Sequence, residues 1–350
     1  MEVDNYSSEE FLRALSKSKE LDESYYLSQG VRSSQSYYAP PGPGLPLFTR
    51  SWVPPPDVAP KALVFMVHGY GNDISWTFQA TPIFLASRGF ACFALDLPGH
   101  GRSHGLRAFV PDLAAVVRDC VSFFTSVRAQ YQSQPPTKSF LFGESMGGAI
   151  CLLIHLLDKS SAAWDGAVLV APMCKISDGI RPPWPLPQLL TLAARFLPTL
   201  PVVPTADLLD KSVRVPEKRA VAAANPARYR GKPRLGTVME LLRVTDDLAA
   251  RLGEVALPFL VLHGSADAVT DPEVSRELHR AARSEDKTIR IYPGMMHSLL
   301  FGETDENVAT VRRDILAWLE ERCSDNLAGC GRTTSGAETS LEYAKAPSYL

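Results

Sequence analysis

The string Gly143-Glu144-Ser145-Met146-Gly147 has the form G-x-S-x-G. An apolar run, Phe140-Leu141-Phe142, precedes it, and a small-residue helix start, Gly147-Gly148-Ala149, follows. A strand–turn–helix elbow of this kind exposes a serine oxygen above a sheet edge, at a helix N-terminus, and its tight turn needs neighbours without bulk. A serine hydroxyl attacks only once a base takes its proton, so the chemistry implied is nucleophilic acyl transfer assisted by a histidine and a carboxylate. The bland reading is a Gly-rich turn holding an ordinary serine. The partners further along the chain decide between the two.

Of the seven histidines, His155 and His279 fall inside predicted helices, where a satisfied or solvated ring is expected. His297 instead follows the last apolar run through Tyr292-Pro293-Gly294-Met295-Met296. That places it on a loop at a strand's C-terminal end, where catalytic groups of open α/β sheets gather. His297 is the expected base. Two carboxylates compete as its partner, because Asp267 and Asp271 share one loop. Asp271 precedes Pro272 at the start of a helical pattern and so has an N-cap task of its own. Asp267 lacks that explanation and lies nearer the strand end, so it is the expected acid. The oxyanion needs backbone N–H donors. Met146, just after the nucleophile, should supply one, and Tyr70, within His68-Gly69-Tyr70-Gly71, the other.

Two further strings sit at strand ends. Asp96-Leu97-Pro98-Gly99-His100-Gly101-Arg102-Ser103 reads as pocket wall rather than reacting groups. His68 to Asp73 fits an H-x4-D spacing associated with acyltransferases; shaping the oxyanion loop is the favoured reading, with transfer to an alcohol as a side activity the sharper one.

These groups need a scaffold that brings distant loops to one rim. Strands are expected on either side of Pro40–Gly44, within 34–53. From Ala62 onward, short runs rich in Val, Leu, Ile and Phe (Ala62–Val67, Phe90–Leu95, Ser139–Phe142, Gly166–Val170, Phe259–Leu262, Thr288–Ile291) alternate with helical patterns. Strands apolar on both faces, alternating with helices, predict an α/β fold: a mostly parallel central sheet with helices on both sides. The rhythm breaks between Pro172 and Pro258. Eight of the 28 prolines crowd into 172–204, around Leu189, Leu190, Leu192, Phe196 and Leu197. Val238, Leu241, Leu242, Leu248 and Leu252 then recur at helical spacing. A helical cap insertion over 172–257 is expected, splitting the core into 31–171 and 258–322. Residues 1–30 read as a polar, partly helical extension with a short stripe (Phe11, Leu12, Leu15, Leu21), and 323–350 as a disordered tail.

The chain's 350 residues suffice for one large domain carrying an insertion. A net charge of −2 excludes a broad phosphate-binding face, so nucleic acid is not an expected partner. No apolar run reaches the length of a membrane span. The first ten residues hold four acidic side chains and no basic one, against a secretory or transit leader. Widely spaced cysteines without a CxxC pair suit reduced thiols, and the expected setting is cytoplasmic.

Together, His68–Gly71, Asp96–Ser103, Gly143–Gly148, His263–Asp267 and Gly294–His297 resemble the α/β-hydrolase superfamily. Leu47–Trp52, Gly143–Gly148 and Gly231–Arg234 carry a narrower resemblance, to the monoacylglycerol lipase-like branch that in plants includes caffeoylshikimate esterase and lysophospholipase-type enzymes. The resemblance covers about residues 30 to 322. It implies a serine esterase with no metal or cofactor, a cap over an acyl pocket, and the triad Ser145, Asp267 and His297 in family order. One departure is Met296, where the family often has an aromatic residue. The implied substrate is a monoacylglycerol-like or lysophospholipid ester, with an aromatic ester of the caffeoylshikimate type as alternative. A binding protein that kept the fold without the chemistry is the rival from another class. The apolar cap suggests brief contact with membranes or lipid droplets.

Overall fold

A computed structural model describes residues 8–17, 20–42, 44–132, 136–157, 164–175, 186–201 and 208–328. Eight strands form one sheet: β1 (Arg32–Tyr38), β2 (Leu47–Val53), β3 (Leu63–Val67), β4 (Ala91–Leu95), β5 (Ser139–Glu144), β6 (Gly166–Val170), β7 (Phe259–Gly264) and β8 (Lys287–Tyr292), in the order β1-β2-β4-β3-β5-β6-β7-β8. β1 and β2 pair antiparallel, as do β2 and β4. Every pairing from β4 through β8 is parallel.

The helices are α1 (Ser8–Lys17), α2 (Glu23–Ser28), α3 (Ala80–Ser87), α4 (Leu113–Arg128), α5 (Met146–Leu157), α6 (Leu186–Phe196), α7 (Leu209–Ser212), α8 (Pro216–Ala224), α9 (Leu235–Arg251), α10 (Pro272–Ala281) and α11 (Asp305–Ala328). Strand alternation divides the core into two layers. Leu63, Phe65 and Val67 pack with Phe124 of α4, Ile150 of α5 and Leu278 of α10. Val64 and Met66, pointing the other way, pack with Phe84 of α3 and with Val311 and Ile315 of α11. The inner parallel strands, covered on both faces, have no solvent side, which is why they read as nearly unbroken apolar runs.

The N-terminal segment is less peripheral than its polarity suggests. Phe11, Leu15, Leu21, Tyr25 and Tyr26 are buried in the second layer. Glu20 reaches Arg50 at 3.0 Å and Arg102 at 2.8 Å. At the other end α11 runs past the expected boundary at 322 to Ala328, since no Gly or Pro interrupts it before Gly329. The remainder of the expected tail lies outside the described residues. Between β6 and β7 the described residues hold only helical elements, α6 to α9 and one short turn of helix (Leu252–Glu254). Cys92, Cys120, Cys151, Cys174 and Cys323 are unbridged. Among the described residues, no helix is long and apolar enough to cross a membrane.

Candidate active site

Four strands end at the same rim and deliver the groups singled out above. β5 leads directly into Ser145, and α5 begins at Met146. Ser145 has φ of +54°, a left-handed conformation that a side-chain-bearing residue adopts only when its surroundings enforce it. Its N–H donates to Val170 O at 2.9 Å, and its carbonyl accepts from Met173 N at 3.0 Å, so β6 and the chain after it hold the turn. The elbow also leaves no room at its rear: a Cβ on Gly147 would stand 2.1 Å from Val67 O. Met146 is the first residue of α5, so its N–H has no acceptor within the helix.

Asp267 follows β7 and His297 follows β8. Asp267 Oδ2 is 2.6 Å from His297 Nδ1. The Asp267 side chain is fully buried and that of His297 nearly so, at 14% exposure. A carboxylate can only accept, so Nδ1 carries the proton and Nε2 keeps its lone pair. Oδ1 meanwhile accepts the Val269 and Thr270 N–H groups, at 2.7 and 3.0 Å. Burial alone would raise the Asp267 pKa. Hydrogen bonds from His263 and His297, then the His297 charge and the Thr270 N–H, outweigh it and hold the carboxyl well below the usual carboxylate range. Asp271, the competing acid, caps α10 by accepting Glu273 N–H at 2.9 Å, as its Asp-Pro context predicts.

Ser145 and His297 line one cavity of about 530 Å³, and among the described residues no hydrogen bond joins them directly. Tyr70, Met173, Leu241 and Thr270 contribute to its walls. Gly69 lies against Ser145, where a Cβ would sit 3.3 Å from Ser145 Cβ. The Tyr70 hydroxyl donates to Ala108 O at 3.0 Å, and Gly71 O accepts Tyr229 N–H at 2.8 Å. The loop carrying Tyr70 is thus fixed from two sides.

His68 and Asp73 do the fixing from beneath. The buried His68 ring accepts Leu97 N–H on Nε2 at 3.0 Å, so its protonated Nδ1 donates to Gly69 O at 2.8 Å. Burial holds its pKa down, and the backbone bond to Gly69 works against that. Asp73 accepts the Ser75 N–H at 2.8 Å on one oxygen and Asn225 Nδ2 at 2.6 Å on the other. Both side chains are spent on shape, the role favoured for the H-x4-D string. Asp96 likewise bridges Ile74 N–H and Arg102 N–H, both at 2.8 Å. Burial, then the nearby Asp73, pushes its carboxyl up to about 7.

Sequence reasoning missed two neighbours of the carboxylate. His263 Nε2 lies 3.1 Å from Asp267 Oδ2 and 3.1 Å from Thr270 O, while its Nδ1 faces Ser275 Oγ at 2.7 Å. Two pure acceptors around Nε2 make it the protonated nitrogen, so Ser275 donates to Nδ1. The Thr270 hydroxyl donates to Asp267 Oδ2 at 2.9 Å. His263 sits at a strand end beside a glycine, and only this position gives a local hint.

Residues 58–305 match the family model described as serine aminopeptidase, S33. The chain belongs to this family. It is a carboxylic ester hydrolase of the α/β-hydrolase superfamily. The hydrolase is 41% identical over 303 residues to caffeoylshikimate esterase of Arabidopsis thaliana, which covers 86% of this chain and 89% of that one. It is 32% identical over 280 residues to human monoglyceride lipase, covering 79% of this chain and 87% of that one. A soluble variant of Saccharomyces cerevisiae monoglyceride lipase, solved with a substrate analogue, shares its fold with a TM-score of 0.72 at 23% identity, covering 83% of this hydrolase and 95% of that chain.

Proposed function

We propose that the hydrolase cleaves its ester at Ser145 through an acyl-enzyme intermediate. The observation that carries this is the 2.6 Å contact between Asp267 and His297 beside a cavity that both His297 and Ser145 line. His297 Nε2 takes the Ser145 proton as Oγ attacks the ester carbon, in a contact that tightens when substrate fills the cavity. Asp267 keeps the imidazole in the tautomer that can accept, and stabilises the imidazolium that forms. The Tyr70 and Met146 N–H groups hold the oxyanion. Collapse expels the alcohol, which receives the proton from His297. Water then attacks the acyl group by the same route, returning the free acid and the unmodified serine.

The acyl group favoured is a fatty chain, on a monoacylglycerol-like or lysophospholipid ester. Apolar side chains stand out from the segment between β6 and β7: Phe196 is 77% exposed, with Leu192 and Leu197 each more than half exposed. That segment, 172–257, acts as a cap, and its apolar surface touches membranes or lipid droplets briefly while it collects substrate. A second reading has its own support. Lys175, Arg228, Arg230 and Lys232 line the cavity, and such a cationic lining suits an ester whose alcohol carries an anionic group, as in caffeoylshikimate. Turnover of monoolein, lysophosphatidylcholine and caffeoylshikimate by the purified protein decides between the readings. Ser145→Ala should lose on the order of 10³-fold or more in rate and all labelling by a fluorophosphonate probe. Retained activity in that variant defeats the assignment.

A further inference from the structure

Glu303 is completely buried and takes no part in the steps above. Its Oε1 accepts the Met296 N–H at 2.6 Å, one residue before His297. Its Oε2 accepts Arg214 Nε at 2.9 Å and Asn307 Nδ2 at 3.1 Å. One carboxylate therefore grips the loop that carries His297 with one oxygen, and the segment between α7 and α8 with the other.

The backbone follows the same seam. Gly302 O accepts the N–H groups of Arg214 and Val215, at 2.9 and 3.1 Å, and Ser298 N–H donates to Ser212 O at 2.9 Å. Lys218 Nζ donates to Glu303 O at 2.7 Å, and the Arg214 guanidinium also reaches Gly294 O. Residues 212–218 lead from α7 into α8, and 294–303 is the loop that carries His297. A buried anion is tolerated only while its counter-charge and hydrogen-bond donors stay in place. Displacing 212–218 would take Arg214 away from Oε2 and leave the carboxylate short of its cation. The two segments are thereby bound to move together.

We propose that Glu303 is a positioning residue that couples the 212–218 segment of the cap to the orientation of His297. This rests on the reading of His297 as the base. With Arg214 seated, Oε1 holds Met296 N–H and the imidazole stays against Asp267. With Arg214 displaced, the loop loses its anchor and proton transfer from Ser145 slows.

Two single variants and their combination test this, with kcat expressed per fluorophosphonate-labelled site on a soluble short-chain ester. Glu303→Gln keeps an oxygen for Met296 N–H but presents an amide to Arg214. Arg214→Met removes the cation at a position whose side chain is 43% exposed, so the fold should survive even if Glu303→Gln does not. Each should lower kcat about 10-fold with KM within twofold of the parent, and the double variant should recover part of the loss because no unmatched charge remains. An unchanged kcat per labelled site with only a lower Tm, or a change confined to KM, overturns the proposal. Absence of Ser145 labelling in the unaltered enzyme, or full activity in His297→Ala, brings down the catalytic reading instead, and this proposal with it.

Discussion

His263 Nε2 stands 3.1 Å from Asp267 Oδ2, the oxygen that also faces His297 Nδ1 at 2.6 Å. Asp267 is thus held by a second imidazole behind the one it orients. A carboxylate fixed from the rear can align a ring with less freedom than one anchored by backbone alone.

Asp267→Asn should cost on the order of 10³-fold or more in kcat, because an amide can donate to Nδ1 and so favours the wrong tautomer. Asp271→Ala should instead cost about 1 kcal/mol of stability through the lost cap on α10, with kcat within a few-fold of the parent. Steady-state kinetics and thermal melts on the pair check both. Equal kinetic losses in the two variants would reverse the assignment of the acid.

Replacing the two crowded glycines should give opposite profiles. Gly147→Ala drives a methyl into Val67 O at 2.1 Å and should lower stability by about 3 kcal/mol or prevent folding. Gly69→Ala places its methyl 3.3 Å from Ser145 Cβ and 3.9 Å from its Oγ, and should slow turnover at least tenfold with little change in Tm. A Gly69→Ala enzyme of normal rate would show that the loop does not border the reacting atoms.

Glu144 lines the cavity beside Ser145, and burial pushes its carboxyl up to about 7. The unfolded value is about 4.3. Between these two pH values the folded chain holds a proton that the unfolded chain has released, so this group's contribution to stability falls as pH rises through that window. Glu144→Gln removes the dependence. The Tm advantage of the variant should therefore be larger at pH 8 than at pH 5 by scanning fluorimetry, and an advantage that shrinks on going to pH 8 would contradict the sign.

Asn225→Ala leaves one oxygen of the buried Asp73 without its 2.6 Å partner. The expected cost is about 1–3 kcal/mol. Hydrogen exchange should accelerate at residues 225–231, whose Tyr229 N–H bonds to Gly71 O. Unaltered exchange there would mean that the tether does not hold this loop down.

Phe196→Ser should lower turnover of a long-chain ester in bilayers several-fold while leaving a soluble short-chain ester unaffected. Liposome flotation supplies the second readout: equal recovery of variant and parent in the lipid fraction would remove α6 from the contact.

The sheet was legible because its inner strands, β3 to β7, are buried on both sides, so composition alone marks them. Ser145 was legible from the local demands of its turn, and Asp271 from the Asp-Pro cap, which left Asp267 by elimination. Contacts between remote segments were not. Arg214 and Glu303 are 89 residues apart, and Asp73 and Asn225 are 152 apart. A single side chain reaching another across such a gap imposes no periodicity on its neighbours. The short helix α8 and the burial of the N-terminal segment escaped for a related reason: brief, mixed-polarity stretches are decided by the surface they land on, and that surface is absent from the local sequence.

β6 and β7 are hydrogen-bonded neighbours, yet all of 171–258 is spliced between them. Because the splice enters and leaves through adjacent strands, an exchange of that region with a cousin's would leave the register of the barrel-free scaffold as it was. Selectivity in such a molecule can be retuned by trading one contiguous block, provided the new block also replaces what this one lends the scaffold: Met173 N–H for Ser145, Asn225 for Asp73, core residues such as Leu248, and a cation for Glu303.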